Sequence, residues 1–386
     1  MEKLKILFVL PGYSLGGTTS SMLSLLKSKF VEQYDVEVFA INKRNYNPDP
    51  MPFFDIGMNG LTTAFNSDFS TFSTVEKLRY LPIKLLKQIP ALRERLIKWV
   101  AKRAIKKIER RKNYDFIVAF QEGNTTKFTT YFTNPNKIAW IHCDYTQSMG
   151  ANVNELDLYN KYKRIVCVSD FTRKRFLGCY PSLEERTISI HNLFDAEQAL
   201  KKASMNIEDA RYNTSHFTIL SVGRISEVKQ FYLIPAIAAK MKEAGIAFRW
   251  YIMGGGNNEN DLRRVVEAIA QHNVENEVIY LGGKANPYPY LKNADLLVST
   301  SKSEACPMIF NEAKLLHLPI LSADFGSANE FIENGKTGWI CPIKDMPNRI
   351  SDIICNQDEY LSVKNNLKDF SFDNDKLLRL IDSLLR

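Results

Sequence analysis

Two glutamates, Glu304 and Glu312, stand in the segment Ser301-Lys302-Ser303-Glu304-Ala305-Cys306-Pro307-Met308-Ile309-Phe310-Asn311-Glu312, between the apolar run 296–299 and a second apolar stretch. Pro307 suits the first turn of a helix. The free amides of Met308 and Ile309 would then lie at the positive end of that helix, where a phosphate binds readily. Glu304 would stand in the loop and Glu312 more than a turn into the helix. The two carboxylates therefore suit two parts of one ligand better than one shared proton.

Cations occur in a comparable position. The run 217–222 reads as a buried strand and is followed by Gly223-Arg224-Ile225-Ser226-Glu227-Val228-Lys229. An Arg fork and a Lys point charge at a strand's carboxyl end can hold a diphosphate as negative charge builds on it. The same pair can also flank a helix start for solubility alone. Gly254-Gly255-Gly256 follows the run 248–253, and Gly16-Gly17 closes the turn after 4–10. Either cluster lets backbone approach a ligand, and either can be a plain turn. His142 and Asp144 follow the run 138–141.

The elements that must position these residues alternate in type. Short apolar runs at 4–10, 36–41, 116–120, 138–141 and 165–168 predict parallel strands, with helices near 18–29, 83–111 and 170–177. A second series places strands at 217–222, 248–253, 278–281, 296–299 and 320–322. Its helices fall near 232–244, 259–272, 307–316 and 329–333. Residues 42–74 read as an irregular insertion, and the weakly periodic stretch 192–215 as a linker. The class is α/β, with two doubly wound halves whose ligands bind beyond the carboxyl ends of the strands, across a cleft. At 386 residues two domains are the natural expectation: 1–195, 196–370, and a terminal helix 371–386 that packs back on the first.

The net charge of +8 is concentrated. Residues 77–112 carry fourteen Lys and Arg against Glu94 and Glu109, which makes +12 there and −4 elsewhere. Interleaved with Leu, Ile and Trp, this segment fits a helix on an anionic membrane surface; a solvated basic face is the plainer alternative. The six cysteines show no metal-ligand spacing and point to free thiols in a reducing compartment. The apolar run after Lys3 and Lys5 stops at Pro11-Gly12, so it reads as a strand and not as a signal-peptide core. No stretch is long enough to span a bilayer as a helix. A cytoplasmic protein, peripheral at the inner face of the membrane, is expected.

Taken in order, the glycine loop, G-R-x4-K element, glycine cluster and E-x7-E pair resemble the family-4 retaining glycosyltransferases of the GT-B fold, which have two Rossmann-like domains. The resemblance extends to Asp324-Phe325-Gly326-Ser327-Ala328-Asn329-Glu330 and Gly335-Lys336-Thr337-Gly338-Trp339. It implies that Arg224 and Lys229 hold the donor diphosphate, that Glu304 approaches the transferred sugar and that Glu312 binds ribose hydroxyls. Gly16, Gly17, Gly254, Gly255, Met308 and Ile309 would border the donor, and His142 would stand beside its sugar. Two positions depart from the pattern. Gln230 replaces a frequent glycine, and Ala305-Cys306 replaces a glycine and a bulky residue.

The function implied is retaining transfer from a nucleotide-diphosphate sugar to a glycan or polyprenyl-linked acceptor, in cell-surface polysaccharide or glycoconjugate synthesis. No cofactor and no metal are expected; Asp49, Asp55 and Asp68 stand alone. A nucleotide-sugar epimerase or hydrolase of the same fold, or a non-catalytic nucleotide-sugar-binding module, is the alternative. Nucleic-acid binding is not expected, because no aromatic-basic RNA motif or zinc spacing accompanies the basic segment.

Overall fold

The computed structural model describes residues 2–12, 16–42, 53–65, 74–85, 89–150, 154–256 and 258–386. Tyr13, Ser14 and Leu15 of the first glycine loop, much of the expected insertion, Lys87 and Asn257 lie outside them. Two compact units emerge: Met1–Leu193 together with Asn374–Arg386, and Phe194–Asp373.

The first unit holds β1 (Lys5–Gly12), β2 (Asp35–Asn42), β3 (Phe116–Ala119), β4 (Lys137–Ile141), β5 (Arg164–Cys167) and β6 (Thr187–Ser189). All run parallel, in the order β2-β1-β3-β4-β5-β6. Such strands are covered on both faces, which is why β3, and β4 after Lys137, read as apolar runs. One cover is the helix Pro90–Arg111, whose Ile97, Ala101, Ala104, Ile105 and Ile108 recur at helical spacing and pack against Leu7, Val9, Phe39 and Ile41. The sequence predicts one helix over 83–111. Instead Thr74–Leu85 and Pro90–Arg111 are separate, because Pro90 takes the first helical position, where its missing N–H costs nothing. The terminal helix Asn374–Leu385 belongs to this unit, through a Tyr34 hydroxyl–Asp382 hydrogen bond and a Lys29–Asp375 pair at 3.6 Å.

The second unit holds β7 (Phe217–Val222), β8 (Phe248–Met253), β9 (Val278–Gly282), β10 (Leu296–Ser299), β11 (Ile320–Ala323) and β12 (Gly338–Cys341), again parallel, in the order β12-β11-β10-β7-β8-β9. Its centre is wired by one satisfied polar chain. Trp250 Nε1 donates to Ser221 Oγ at 3.0 Å, and Ser221 donates to the Val298 carbonyl at 2.6 Å, linking β8, β7 and β10. The stretch expected as a linker contains the helix Ala196–Ala203, capped by Asp195, with Ala199 and Ala203 buried. Ala196, Ala199, Leu200 and Ala203 do recur at helical spacing, but over only two turns and mostly as small alanines. All six cysteines are free thiols, and no described helix is long and apolar enough to cross a membrane.

Candidate active site

β7 and β10 lie side by side, yet the chain leaves β7 toward β8 on one flank and β10 toward β11 on the other. Successive crossovers depart in opposite directions there, which opens a crevice at the carboxyl ends of these two strands. The two loops that emerge at this point are Gly223–Gln230 and 300–307.

The loops converge on an ion pair between Lys229 Nζ and the Glu304 carboxylate, whose side chains are 21% and 16% exposed. Ser301 Oγ donates to the same Glu304 oxygen at 2.7 Å, and Ser327 Oγ donates to the Glu304 carbonyl at 2.6 Å. Thr300 Oγ1 donates to the Lys229 carbonyl at 2.8 Å, and the Lys302 N–H to the Val228 carbonyl at 2.8 Å. Each loop thus fixes the other. Largely out of water, the pair is stronger than an exposed one and is also more costly to leave half-made.

The glycines have defined mechanical roles. Gly254 has φ +155°, and a Cβ there would meet the Gly223 carbonyl oxygen at 1.7 Å. The Gly223 N–H donates to the Met253 carbonyl at 3.0 Å, and the Ile225 N–H to the Gly255 carbonyl at 2.9 Å. The glycine cluster after β8 therefore braces the loop after β7. At Gly223 itself a Cβ would press on Lys229 Cε at 3.1 Å. Gln230 occupies the left-handed region at φ +53°, where glycine is the comfortable residue. Its departure from the pattern costs backbone strain and no charge.

Arg224 is exposed, and among the described residues no hydrogen bond or ion pair engages it. Nearby Glu227 pairs with Arg264, whose guanidinium lies 3.8 Å from the centre of the Tyr232 ring. Pro307 is the N-cap of the helix Met308–Leu315, one place earlier than the first-turn position expected, because its ψ of 95° is extended. Met308 and Ile309 consequently fill the first two helical positions, whose amides have no carbonyl partner within the helix. Glu312 takes no part in the ion pair's hydrogen bonds and accepts one from the Tyr288 hydroxyl at 3.2 Å. Desolvation lifts its pKa to about 7, against smaller opposing effects of Tyr288 and Lys202. Among the described residues no three His, Cys, Asp or Glu side chains gather as metal ligands.

In the first unit, His142 follows β4 with its ring 4.7 Å from that of Phe120. Its Nε2 is buried without a partner among the described residues, and desolvation lowers its pKa to about 3, so the imidazole is neutral. The His142 N–H donates to the Glu122 carboxylate at 2.8 Å, and burial raises the pKa of Glu122. Sequence reasoning missed Glu122. The signal was present, because Glu122 lies three residues beyond β3, at a carboxyl end like that of His142. Asp144 caps the helix Tyr145–Met149 and pairs with Arg175 at 3.1 Å, a local structural role. Gly16 and Gly17 open the helix Gly17–Leu26, are exposed, and among the described residues no atom beyond their own neighbours lies within 4 Å of where a Cβ would stand. Among the described residues nothing packed nearby requires glycine at either position.

Residues 205–370 match the family model "Glycosyl transferases group 1". An uncharacterized glycosyltransferase of Methanocaldococcus jannaschii is 25% identical over 60% of this chain and 54% of its own. The poly(ribitol-phosphate) alpha-N-acetylglucosaminyltransferase of Staphylococcus aureus is 24% identical over 59% of this chain and 46% of its own. The chain therefore spans about half the length of these curated relatives. Anabaena HepE, solved with UDP and glucose, superposes with a TM-score of 0.70 at 17% identity over 99% of each chain. Two six-stranded parallel sheets with helices, matched over this length, give the chain the fold of the GT-B glycosyltransferases.

Proposed function

We propose that the chain is a retaining glycosyltransferase that moves a sugar from a nucleotide-diphosphate donor to a glycan or lipid-linked acceptor in cell-surface polysaccharide synthesis. The observation that carries this reading is the Lys229–Glu304 pair at the switch point of the second sheet, with the uncommitted cation Arg224 on the same loop. A diphosphate entering there meets Arg224 and Lys229, and the amides of Met308 and Ile309 favour its charge. Lys229 would exchange its carboxylate partner for the diphosphate, leaving Glu304, still held by Ser301, to face the sugar. Glu312 takes the ribose hydroxyls. Within the first unit, the neutral ring of His142 has an Nε2 with no partner among the described residues, a nitrogen of the kind that can take a sugar hydroxyl. UDP is the first nucleotide to test, because HepE is described with it.

In this reading the bond from the anomeric carbon to the diphosphate breaks, and a bond to the acceptor oxygen forms on the same face. The acceptor's proton passes to the departing diphosphate oxygen, and the charge appearing on the leaving group is held by Arg224 and Lys229 without a metal. The test is to incubate the protein with a panel of nucleotide sugars and acceptors and to read nucleoside diphosphate release together with the product's anomeric configuration. A product with the donor's configuration supports the reading. Inversion removes the retaining assignment, and equal turnover without any acceptor replaces the transferase by a hydrolase or epimerase.

A further inference from the structure

The helix Thr74–Leu85 leaves an apolar stripe in water. Val75, Leu78, Leu81 and Leu85 are spaced to share one side of the helix, and Leu78 and Leu85 are each 67% exposed. Ile89, Leu92 and Trp99 extend the apolar surface into the next helix, with Trp99 57% exposed. These seven are nearly half of the fifteen large apolar side chains that stand in solvent among the described residues. Clustering of that kind marks a surface that meets something.

Charge surrounds the apolar side chains. On Pro90–Arg111, about 33 Å long by its rise, Ile97, Ala101, Ala104 and Ile108 face the core. Leu92 and Trp99, two turns apart, face outward among exposed Arg95, Lys102, Arg103 and Lys106. The Arg103 guanidinium lies 5.4 Å from the centre of the Trp99 ring. Beside this face is an open cavity of about 440 Å³, with Arg95, Lys98, Lys127 and Lys161 in its wall against the single carboxylate Glu94. Among the described residues only Lys127 is ion-paired with that carboxylate, at 2.9 Å.

Three occupants can be weighed on these observations. A second copy would set one strongly basic segment against another, a repulsion no apolar stripe of this size offsets. Single-stranded nucleic acid would reward the cations, but it needs aromatic platforms for its bases, and the stripe is aliphatic apart from Trp99. An anionic bilayer uses both features, apolar side chains at the acyl boundary and cations at the headgroups. We propose that Thr74–Leu85 and Pro90–Arg111 form an interfacial element that lays the first unit on an anionic lipid surface, with a lipid phosphate received in the cationic cavity. Docking stands independently of the transferase reading; only the idea that it brings the protein to a lipid-linked acceptor rests on that reading.

Trp99 supplies the assay, because the other three tryptophans, Trp140, Trp250 and Trp339, are at most 3% exposed. The intact protein is titrated with vesicles of phosphatidylcholine containing a minority of phosphatidylglycerol, and with phosphatidylcholine alone. A blue shift and gain of tryptophan emission is expected only with the anionic vesicles. It should be strong near 0.02 M salt and lost near 0.5 M, where screening is roughly a few ångströms. Lys102→Gln/Lys106→Gln should weaken partition on the order of 25-fold, at roughly fivefold per cation. Trp99→Phe should keep sedimentation with vesicles while losing the emission change. Absence of binding at low salt overturns the proposal. So does release by inorganic phosphate at matched concentration, which assigns the cavity to a small anion, or preferential binding of single-stranded RNA. Stabilisation by nucleotide sugars, measured on the same double variant, should be unchanged, so a failure of docking and a failure of donor binding read separately.

Discussion

Glu312 ties stability and donor binding to one proton. Its carboxyl titrates near 7 in the folded chain against an ordinary value of 4.5, because the protein around it removes water. Below pH 4.5 both folded and unfolded chains hold the proton, and Glu312 costs nothing. Between 4.5 and 7 the unfolded chain releases the proton while the folded chain keeps it, so stability falls as pH rises and levels off above 7. At about 1.4 kcal/mol per unit, the penalty above pH 7 is on the order of 3 kcal/mol. Glu312→Gln keeps the shape and a group that can accept from Tyr288 at 3.2 Å, but it cannot ionise. Paired thermal unfolding at pH 5 and pH 8 should show little difference at the lower pH. At the higher pH the variant should melt roughly 6–10 °C above the parent, for a unit of this size. Donor binding runs the other way. Ribose hydroxyls donate to the ionised carboxylate, so binding near pH 6.5 should release a proton, visible in calorimetry as a heat that depends on the buffer. Glu312→Gln should abolish that release and weaken donor affinity more than it slows saturated turnover. A variant equally destabilised at both pH values would refute the buried-acid argument, and unchanged donor affinity would refute the ribose assignment.

Other changes probe the rest of the site. Arg224→Ala should leave unfolding within about 0.5 kcal/mol of the parent, since the side chain is exposed and without a partner among the described residues, yet lower kcat by roughly 10²–10³ in a transfer assay. Lys229→Ala strands the Glu304 carboxylate, so the melting temperature should drop, and combining it with Glu304→Gln should recover part of the loss in a double-mutant cycle. Gly254→Ala should abolish folding or activity, because the methyl would occupy the Gly223 carbonyl oxygen; a soluble, active variant would show the two loops to be separable. Gln230→Gly should raise stability by about 1 kcal/mol in chemical unfolding, by relieving a left-handed backbone.

Much of this was legible before the structure. β7 and β8 coincide with the apolar runs 217–222 and 248–253, because central parallel strands are buried on both faces and end at glycine. β6 and β12 were not read, since edge strands as short as Thr-Ile-Ser and Gly-Trp-Ile-Cys carry no distinct pattern. The break before Pro90 was overlooked because apolar periodicity runs through it. At the site, charge type and position at strand ends singled out Lys229 and Glu304. Their direct pairing depends on β10 lying next to β7, a crossover that sequence spacing does not encode. The bracing of Gly223 by Gly254 and the contact of Glu122 with His142 join loops that follow consecutive, neighbouring strands, and depend on loop conformation that residue type alone does not encode.

The central claim is that a nucleotide-diphosphate sugar binds at the switch point of the second sheet. Thermal unfolding of the parent protein and of Arg224→Ala across a panel of UDP-sugars and other nucleotide sugars tests it most directly. At a hundredfold excess over Kd the true donor should stabilise the parent by about 2.7 kcal/mol, and Arg224→Ala should lose most of that gain. If no nucleotide sugar shifts the parent, or if Arg224→Ala responds as the parent does, the diphosphate does not bind where Lys229 and Glu304 meet.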